Sequence, residues 1–492
     1  MSSSNPQKAL AFPRVFWIAN IMELFERGAY YGMNSVLAIY LTASLLNGGP
    51  GFSEDAVGFL QAIVYAVVYI VPILGGALAE KFGYKRMLIL SFCLLSGGYF
   101  ITGTFHTYGL IFAALLFMAV GAGLFKPIIS GTIAHSTTEA NSGFGFGIYY
   151  WMINLGAFLA PIVVNILRGS KAFAWSQVFM ASALYAAVML IPAIFFFKDP
   201  QLPGKGASLK TTFKNALIVL GDARFMLMIF IYSIFWILYF QNFGTILWYL
   251  RDFINTAPVN EFMRQFIPGF TFSEELATTI SAGTIILLQI VVSRIVKNMK
   301  AIPTMCSGML IGSLSFLFFA FSRSPWIFIC GLFVFSIGEM TAHPKYYSYI
   351  GMIAPQDRKA VYMGYSFLYG VIGSLFGSSI GASLYTQIAK PGNPTLFFLI
   401  FCLLGLLGFA GLLWFNKRCA QDTPEANKLA RQVLFGIYLA LAILAVLGII
   451  RFSMLKNYKS IFSAGMILLI SGGGIAITLR QNRERRQKTR EA

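Results

Sequence analysis

The chain has 492 residues, 57% of them hydrophobic and only 11% charged, with a mean hydropathy of +0.72. That balance excludes an ordinary soluble globular protein. The formal net charge of +19 invites a nucleic-acid reading, but the bases fall in alternate loops. They lie at Lys81/Lys85/Arg86, Lys198 to Arg224, Arg294/Lys297/Lys300, Arg358/Lys359, Lys417/Arg418 and from Arg480 to Arg490, while the loops near 47–53 and 105–108 hold no Lys or Arg. This is the positive-inside pattern, which places both termini in the cytoplasm. No nucleic-acid partner is expected; the tail QNRERRQKTR reads as a solvated basic end that fixes topology, with anionic membrane lipid headgroups as its alternative neighbours.

Apolar runs near the 20 residues needed to cross about 30 Å of hydrocarbon recur along the chain. They predict helices over 13–46, 54–79, 87–105, 108–134, 143–167 and 175–197, then over 225–250, 275–296, 303–321, 326–353, 360–388 and 395–416, with two more over 432–450 and 460–479. The reading is an all-α polytopic membrane protein of fourteen helices. Its expected parts are a six-helix bundle over 1–198, a cytoplasmic linker over 199–222 and a second six-helix bundle over 223–417. Two accessory helices over 418–480 and a basic cytoplasmic tail over 481–492 follow. The start of the chain lacks a small-residue cleavage site and does not read as a signal peptide. The stretch from Asp252 to Glu275 is long for an external loop and is expected to form a hairpin or interfacial helix. The five cysteines show no metal-ligand spacing and read as buried packing thiols, so neither disulfide nor metal site is expected.

Three charges interrupt the first predicted helix, in Glu23-x-x-Glu26-Arg27. A charge at bilayer depth costs at least about 2.5–3.5 kcal/mol, so such groups face a partner or a watery cavity. At about 100° per residue, Glu23, Glu26, Arg27, Tyr30 and Asn34 share one face of the helix. A proton-coupled carrier needs a buried carboxylate whose protonation a neighbouring cation and the substrate can tip. Glu23 and Glu26 beside Arg27 supply those ingredients; a structural ion-pair cluster is the alternative. Lys126 lies deep in the fourth predicted helix and needs a carboxylate, from Glu23, Glu26 or a substrate. Glu339 and His343 are four apart and share a face of the tenth.

The stretch Gly76-Ala-Leu-Ala-Glu80-Lys81-Phe-Gly83-Tyr-Lys85-Arg86 resembles the loop between helices 2 and 3 of the major facilitator superfamily, with Glu80 in place of the usual Asp. Two six-helix halves with substrate bound between them near the midplane is the architecture this implies. Glu23-Leu-Phe-Glu26-Arg27-Gly-Ala-Tyr30-Tyr31-Gly32 resembles the helix-1 signature of the proton-dependent oligopeptide transporter family, E-x-x-E-R-F-x-Y-Y-G, with Gly28 replacing Phe. Further resemblances follow in order: Tyr69-Ile-Val-Pro72-Ile-Leu-Gly75-Gly76, Gly121-Ala-Gly123-Leu-Phe-Lys126-Pro127, Ile153-Asn154-Leu-Gly156-Ala-Phe-Leu-Ala-Pro161, Trp236-x-x-x-x-Gln241, and Gly338-Glu339-x-x-x-Pro344 before Ala354-Pro355.

The resemblance implies a symporter that uses protons as its coupling ion, needs no other cofactor, and imports di- or tripeptides or peptide-like solutes by alternating access across the plasma (inner) membrane. It assigns proton coupling to Glu23, Glu26 and Arg27. It assigns substrate binding to Arg27, Lys126 and Glu339, with Tyr30, Tyr31, Asn34, Tyr69, Asn154, Trp236 and Gln241 as cavity residues. His343 stands where the family usually has Ser; its imidazole is read as joining the proton relay or the substrate site, with a hydrogen-bonded packing histidine as the alternative. Three departures stand out. Asn34 occupies the place of a second arginine, Phe240 that of a glutamate before Gln241, and no Asn-Pro occurs between Ala277 and Ile295. They leave open a carrier of another small solute such as an organic anion, or a transport-inactive receptor or scaffold. No Ser/His/Asp grouping or phosphate-cradling loop supports an enzyme.

Overall fold

A computed structural model describes residues 12–138, 141–169, 174–199, 218–355, 358–454 and 458–491. Six helices build the first half: α1 (Arg14–Thr42), α2 (Glu54–Phe82), α3 (Tyr84–Thr104), α4 (Tyr108–His135), α5 (Ser142–Gly169) and α6 (Trp175–Val188, continued as Leu190–Phe195). The second half holds α7 (Ala223–Tyr239, a 3-10 turn Phe240–Phe243, then Thr245–Phe253), α8 (Glu274–Val296), α9 (Ala301–Phe321), α10 (Pro325–Ile353), α11 (Lys359–Tyr365, then Leu368–Leu384 and a π-turn Tyr385–Ala389) and α12 (Pro394–Arg418). α13 (Pro424–Met454) and α14 (Tyr458–Glu491) follow. Among the described residues, twelve helices are long and apolar enough to cross a membrane. α1 is held outside that set by its charges although it packs among them, and the apolar part of α14, Ala464–Arg480, is shorter. The chain is an integral membrane protein of two six-helix halves with two added helices.

Local chemistry sets the helix ends. Ser53 accepts the Ala56 N–H ahead of Glu54 and Asp55 to start α2, and Asp222 accepts the Phe225 N–H to start α7. Between α2 and α3, Gly83 takes φ +94°, a conformation that costs a side-chain-bearing residue dearly. The Asp199 carboxylate accepts the Lys85 N–H there, so the first linker residue caps α3. Residues 200–217 of the expected linker lie outside the described set, as do the side chains of the basic tail, although the α14 backbone is helical to Glu491.

Two expectations are corrected, and a third is narrowed. α13 begins at Pro424, eight residues earlier than its apolar run, because Thr423 accepts the Ala426 N–H and Pro424 suits a first helical turn. Of its two expected forms the external stretch takes the helical one, Ala257–Arg264, with Phe262, Phe266 and Ile267 exposed. Only Cys306, Cys402 and Cys419 are buried; Cys93 and Cys330 are exposed on the outer surface. The accessory pair meets both halves: Tyr438 of α13 packs on Phe230 of α7, and Phe462 of α14 on Phe59 of α2.

The halves are joined at the end that bears the loop 43–53. The Glu54 carboxylate accepts from Lys390 Nζ at 2.6 Å and from Arg251 Nη2 at 3.3 Å. Arg168 pairs with Glu275, Thr386 donates to Asp55, and Trp248 Nε1 donates to the Ala38 carbonyl at 3.3 Å. The break in α7 contributes here. Gly244 (φ −146°, ψ −92°) interrupts the helix, and the Phe243 carbonyl accepts from Gln61 Nε2 of α2 at 2.9 Å.

Candidate functional site

A cavity of about 230 Å³ lies between the halves. Tyr31, Tyr69, Lys126 and Asn154 line its first-half wall; Trp236, Glu339 and His343 line the opposite one. Lys126 precedes Pro127 in α4 and its ammonium stands 4.8 Å from the Tyr69 ring centroid. Among the described residues it makes no ion pair within 4 Å; Glu26 and Glu23 act on it only from longer range, across the Arg27 that they pair with. Glu339 on the facing wall likewise has no ion-pair partner among the described residues. Among the described residues, the cavity therefore carries a cation and a carboxylate on opposite walls, each without an ion pair within 4 Å. In a low-dielectric site, each is costly until a counter-charge arrives.

Aromatic rings fill the space between these poles. His343 Nδ1 lies 3.1 Å from the Tyr232 hydroxyl, and its ring sits 5.1 Å from Trp236, 4.9 Å from Tyr347 and 5.5 Å from Tyr369. The Tyr347 and Tyr369 hydroxyls bond to each other at 3.0 Å. Tyr69 reaches across from α2 to Trp236 and Tyr369, each at 6.0 Å. Asn154 donates to the Tyr150 carbonyl at 2.8 Å. On α8, where the family's Asn-Pro is missing, the wall offers only the hydroxyls of Thr278 and Ser281 among small and apolar side chains.

Other expected site residues stand back from the cavity. Glu23, Glu26 and Arg27 are buried together: Arg27 Nε is 2.5 Å from Glu26 Oε2 and 3.4 Å from Glu23 Oε1. The group is internally paired yet incompletely satisfied, since Glu23 Oε2, Glu26 Oε1 and Arg27 Nη2 find no hydrogen-bond partner within bonding distance among the described residues. Gly156 of α5 lets this stretch of α1 approach closely, for a methyl there would meet the Leu24 carbonyl at 2.8 Å and Arg27 Cβ at 2.9 Å. Tyr30 is buried beneath the Arg27 guanidinium, 5.2 Å from its ring centroid.

Asn34 and Gln241 are placed as structural residues. The Tyr65 hydroxyl donates to Asn34 Oδ1 at 2.5 Å, and the Tyr65 ring stacks on Phe240 at 5.2 Å. The two positions that depart from the family's charge pattern thus meet across one tyrosine. Gln241 donates to the Ile237 and Gly377 carbonyls and accepts from Thr245, which braces the α7 break and uses both amide hydrogens. Sequence reasoning passed over Tyr150, Tyr239, Tyr347 and Tyr369 in the wall. Tyr347 lies four residues after His343, and Tyr150 four before Asn154, so the helical period carried that signal.

Two helical halves enclosing a polar, aromatic cavity at mid-depth define a membrane carrier fold. The chain belongs to the Major Facilitator Superfamily, whose model matches residues 21–378, and that family is one of transporters. Among curated proteins it is similar to the dipeptide and tripeptide permease A of Erwinia pyrifoliae, 32% identical over 190 residues covering 38% of this chain and 37% of that protein. It is similar also to the uncharacterized transporter YclF of Bacillus subtilis, 31% identical over 168 residues covering 33% and 34%. The matched stretches span about a third of the length of these relatives. Solved structures with the same fold include a POT family transporter in complex with 5-aminolevulinic acid (TM-score 0.70, 20% identity, covering 83% of this chain and 98% of that one) and the peptide transporter POT in complex with sulfate (0.71, 20%, 85% and 99%). These relatives are the branch of the superfamily that the motifs resemble.

Proposed function

We propose that the protein is a proton-coupled symporter that imports short peptides or peptide-like zwitterions across the plasma (inner) membrane, with both termini cytoplasmic. The observation that carries this reading is that Lys126 and Glu339, neither in an ion pair within 4 Å among the described residues, face each other across one cavity. A zwitterion supplies a carboxylate to one and an ammonium to the other, and each contact replaces an unpaired buried charge with a charge-assisted hydrogen bond. The names of the relatives agree, peptide permeases among them, as does a fold neighbour's ligand, an amino acid.

Protons are the proposed coupling ion, held by the incompletely satisfied Glu23/Glu26/Arg27 group, which stands behind Tyr31 and Lys126. Alternating access is read from the joined end: the Glu54, Arg168 and Asp55 links between halves must open to admit solute from that side. His343 is assigned to the substrate wall by its place beside Trp236 and Tyr347. A second reading, a carrier of a solute smaller than a tripeptide, is favoured by the cavity's volume, which falls below the usual range of about 300–1,000 Å³ for ligand pockets. The presence of Glu339 opposite Lys126 weighs against a simple organic anion.

Counterflow in proteoliposomes tests the reading. Dialanine, alanine and succinate are offered to wild type, Lys126→Ala and Glu339→Gln. Dialanine or alanine exchange should fall by roughly tenfold or more in either variant, since a charged hydrogen bond contributes about 1.5–3 kcal/mol. Succinate exchange that survives Glu339→Gln, with no exchange of either zwitterion, would overturn it.

A further inference from the structure

A second, apolar cleft of about 270 Å³ runs between α1, α5 and α6, behind the ion cluster and away from the central cavity. Gly28, Gly32, Gly156, Ala160, Val163 and Tyr185 form much of its wall. Gly28 is the position where the helix-1 signature carries Phe, and a Cβ placed there would touch nothing closer than 4.0 Å. The cleft opens outward, where Leu159, Val163 and Tyr185 are exposed on the surface that faces hydrocarbon. From Gly156 to Leu167 it follows α5 for about 16 Å at 1.5 Å per residue, roughly one leaflet of the bilayer core.

Its upper end, at Leu167 and Gln177, adjoins a second pocket that begins at Arg168 and Trp175. That pocket is lined by Arg168 and Arg251 with Thr42, Ser44 and Asn47, and no carboxylate is among its lining residues. Arg168 Cζ stands over the Trp175 ring, 3.2 Å from its centroid. Arg168 is 26% and Arg251 28% exposed; Arg168 also holds Glu275, and Arg251 holds both Glu54 and its neighbour Asp252. An aromatic ring and a pair of guanidiniums at the membrane surface, above an apolar slot of one leaflet's depth, match a phosphodiester above an acyl chain.

We infer that a phospholipid occupies this composite site, its phosphate between Arg168 and Arg251 and one acyl chain in the cleft beside Gly28. A lipid seated there braces α1 against α5 and α6 directly behind Glu23, Glu26 and Arg27, and touches both halves through its two arginines. Lipid supply would thereby bear on the opening of this end.

Native mass spectrometry of the purified full-length protein titrated with phosphatidylglycerol tests the inference. Wild type should hold one tightly bound lipid. Gly28→Phe and Ala160→Phe, which fill the cleft, should weaken it at least tenfold, and Arg168→Gln at least fivefold. Thermal midpoints within a few degrees of wild type confirm that a variant is folded. Undiminished binding to both cleft-filling variants overturns the acyl-chain assignment, and undiminished binding to Arg168→Gln overturns the phosphate assignment. Glycerol phosphate added in excess should not displace the lipid; displacement at comparable concentration makes the ligand a soluble anion and overturns the proposal.

Discussion

Replacing Glu54 by Gln should loosen the joined end of the two halves. Glu54 is the point where α2 of one half holds α7 and α11 of the other, through Arg251 and Lys390. Its carboxylate is 10% exposed, whereas Arg251 is 28% and Lys390 50% exposed. A hydrogen bond to a charged group contributes about 1.5–3 kcal/mol when shielded. The exposure of Lys390 lowers its share towards the surface-pair range of about 0.2–1 kcal/mol. Arg251 also keeps Asp252 and Thr42 in the variant, and the glutamine carbonyl still accepts one bond. The net loss to the joined state is therefore about 1.5–2.5 kcal/mol, or roughly a ten- to sixtyfold shift in its equilibrium with the parted state. Spin labels at Leu46 and Gln387, exposed positions on opposite halves at this end, report it as a distance distribution. Glu54→Gln should enlarge a longer-distance population, and Lys390→Gln should do so more weakly. Identical distributions in wild type and Glu54→Gln would refute the reasoning.

Arg27→Ala strands two buried carboxylates and should cost about 3–5 kcal/mol, read as a large fall in thermal midpoint, part of which the added change Glu26→Gln restores. Tyr65→Phe leaves Asn34 Oδ1 without its donor and should destabilise the protein by about 1–3 kcal/mol in the same assay. Gly156→Val crowds the Leu24 carbonyl and Arg27 Cβ, and should cost about 1–3 kcal/mol by overpacking; a midpoint equal to wild type would show that α1 and α5 are not in close contact.

Much of the architecture is legible in the sequence because lipid demands long apolar segments and satisfied backbones. The order of the motifs placed Lys126, Glu339 and Trp236 around one cavity before any coordinates. Membrane chemistry also limits that reading. Hydrocarbon is as apolar as a protein core, so periodicity does not separate a lipid-facing cysteine such as Cys93 from a buried one such as Cys402. The stripe on α1 read as a single polar face, yet Arg27 turns onto its own Glu26 while Tyr31 alone of its neighbours reaches the cavity. Asn34 and Phe240 looked like two separate losses of charge. They are joined by Tyr65, whose partners lie 31 residues away on one side and across the interface on the other, a relation no local period encodes. Gln241 matched a motif, but its amide is consumed by the α7 break that Gly244 creates.

The central claim is that solute and proton move together. It is tested most directly by a pH-sensitive dye outside proteoliposomes when dialanine is added to that face. Coupled import predicts alkalinisation that is saturable in dialanine, lost in Glu339→Gln through binding and in Glu26→Gln through coupling, while Glu26→Gln keeps dialanine counterflow. Dialanine entry at wild-type rates with no change in external pH would contradict the account.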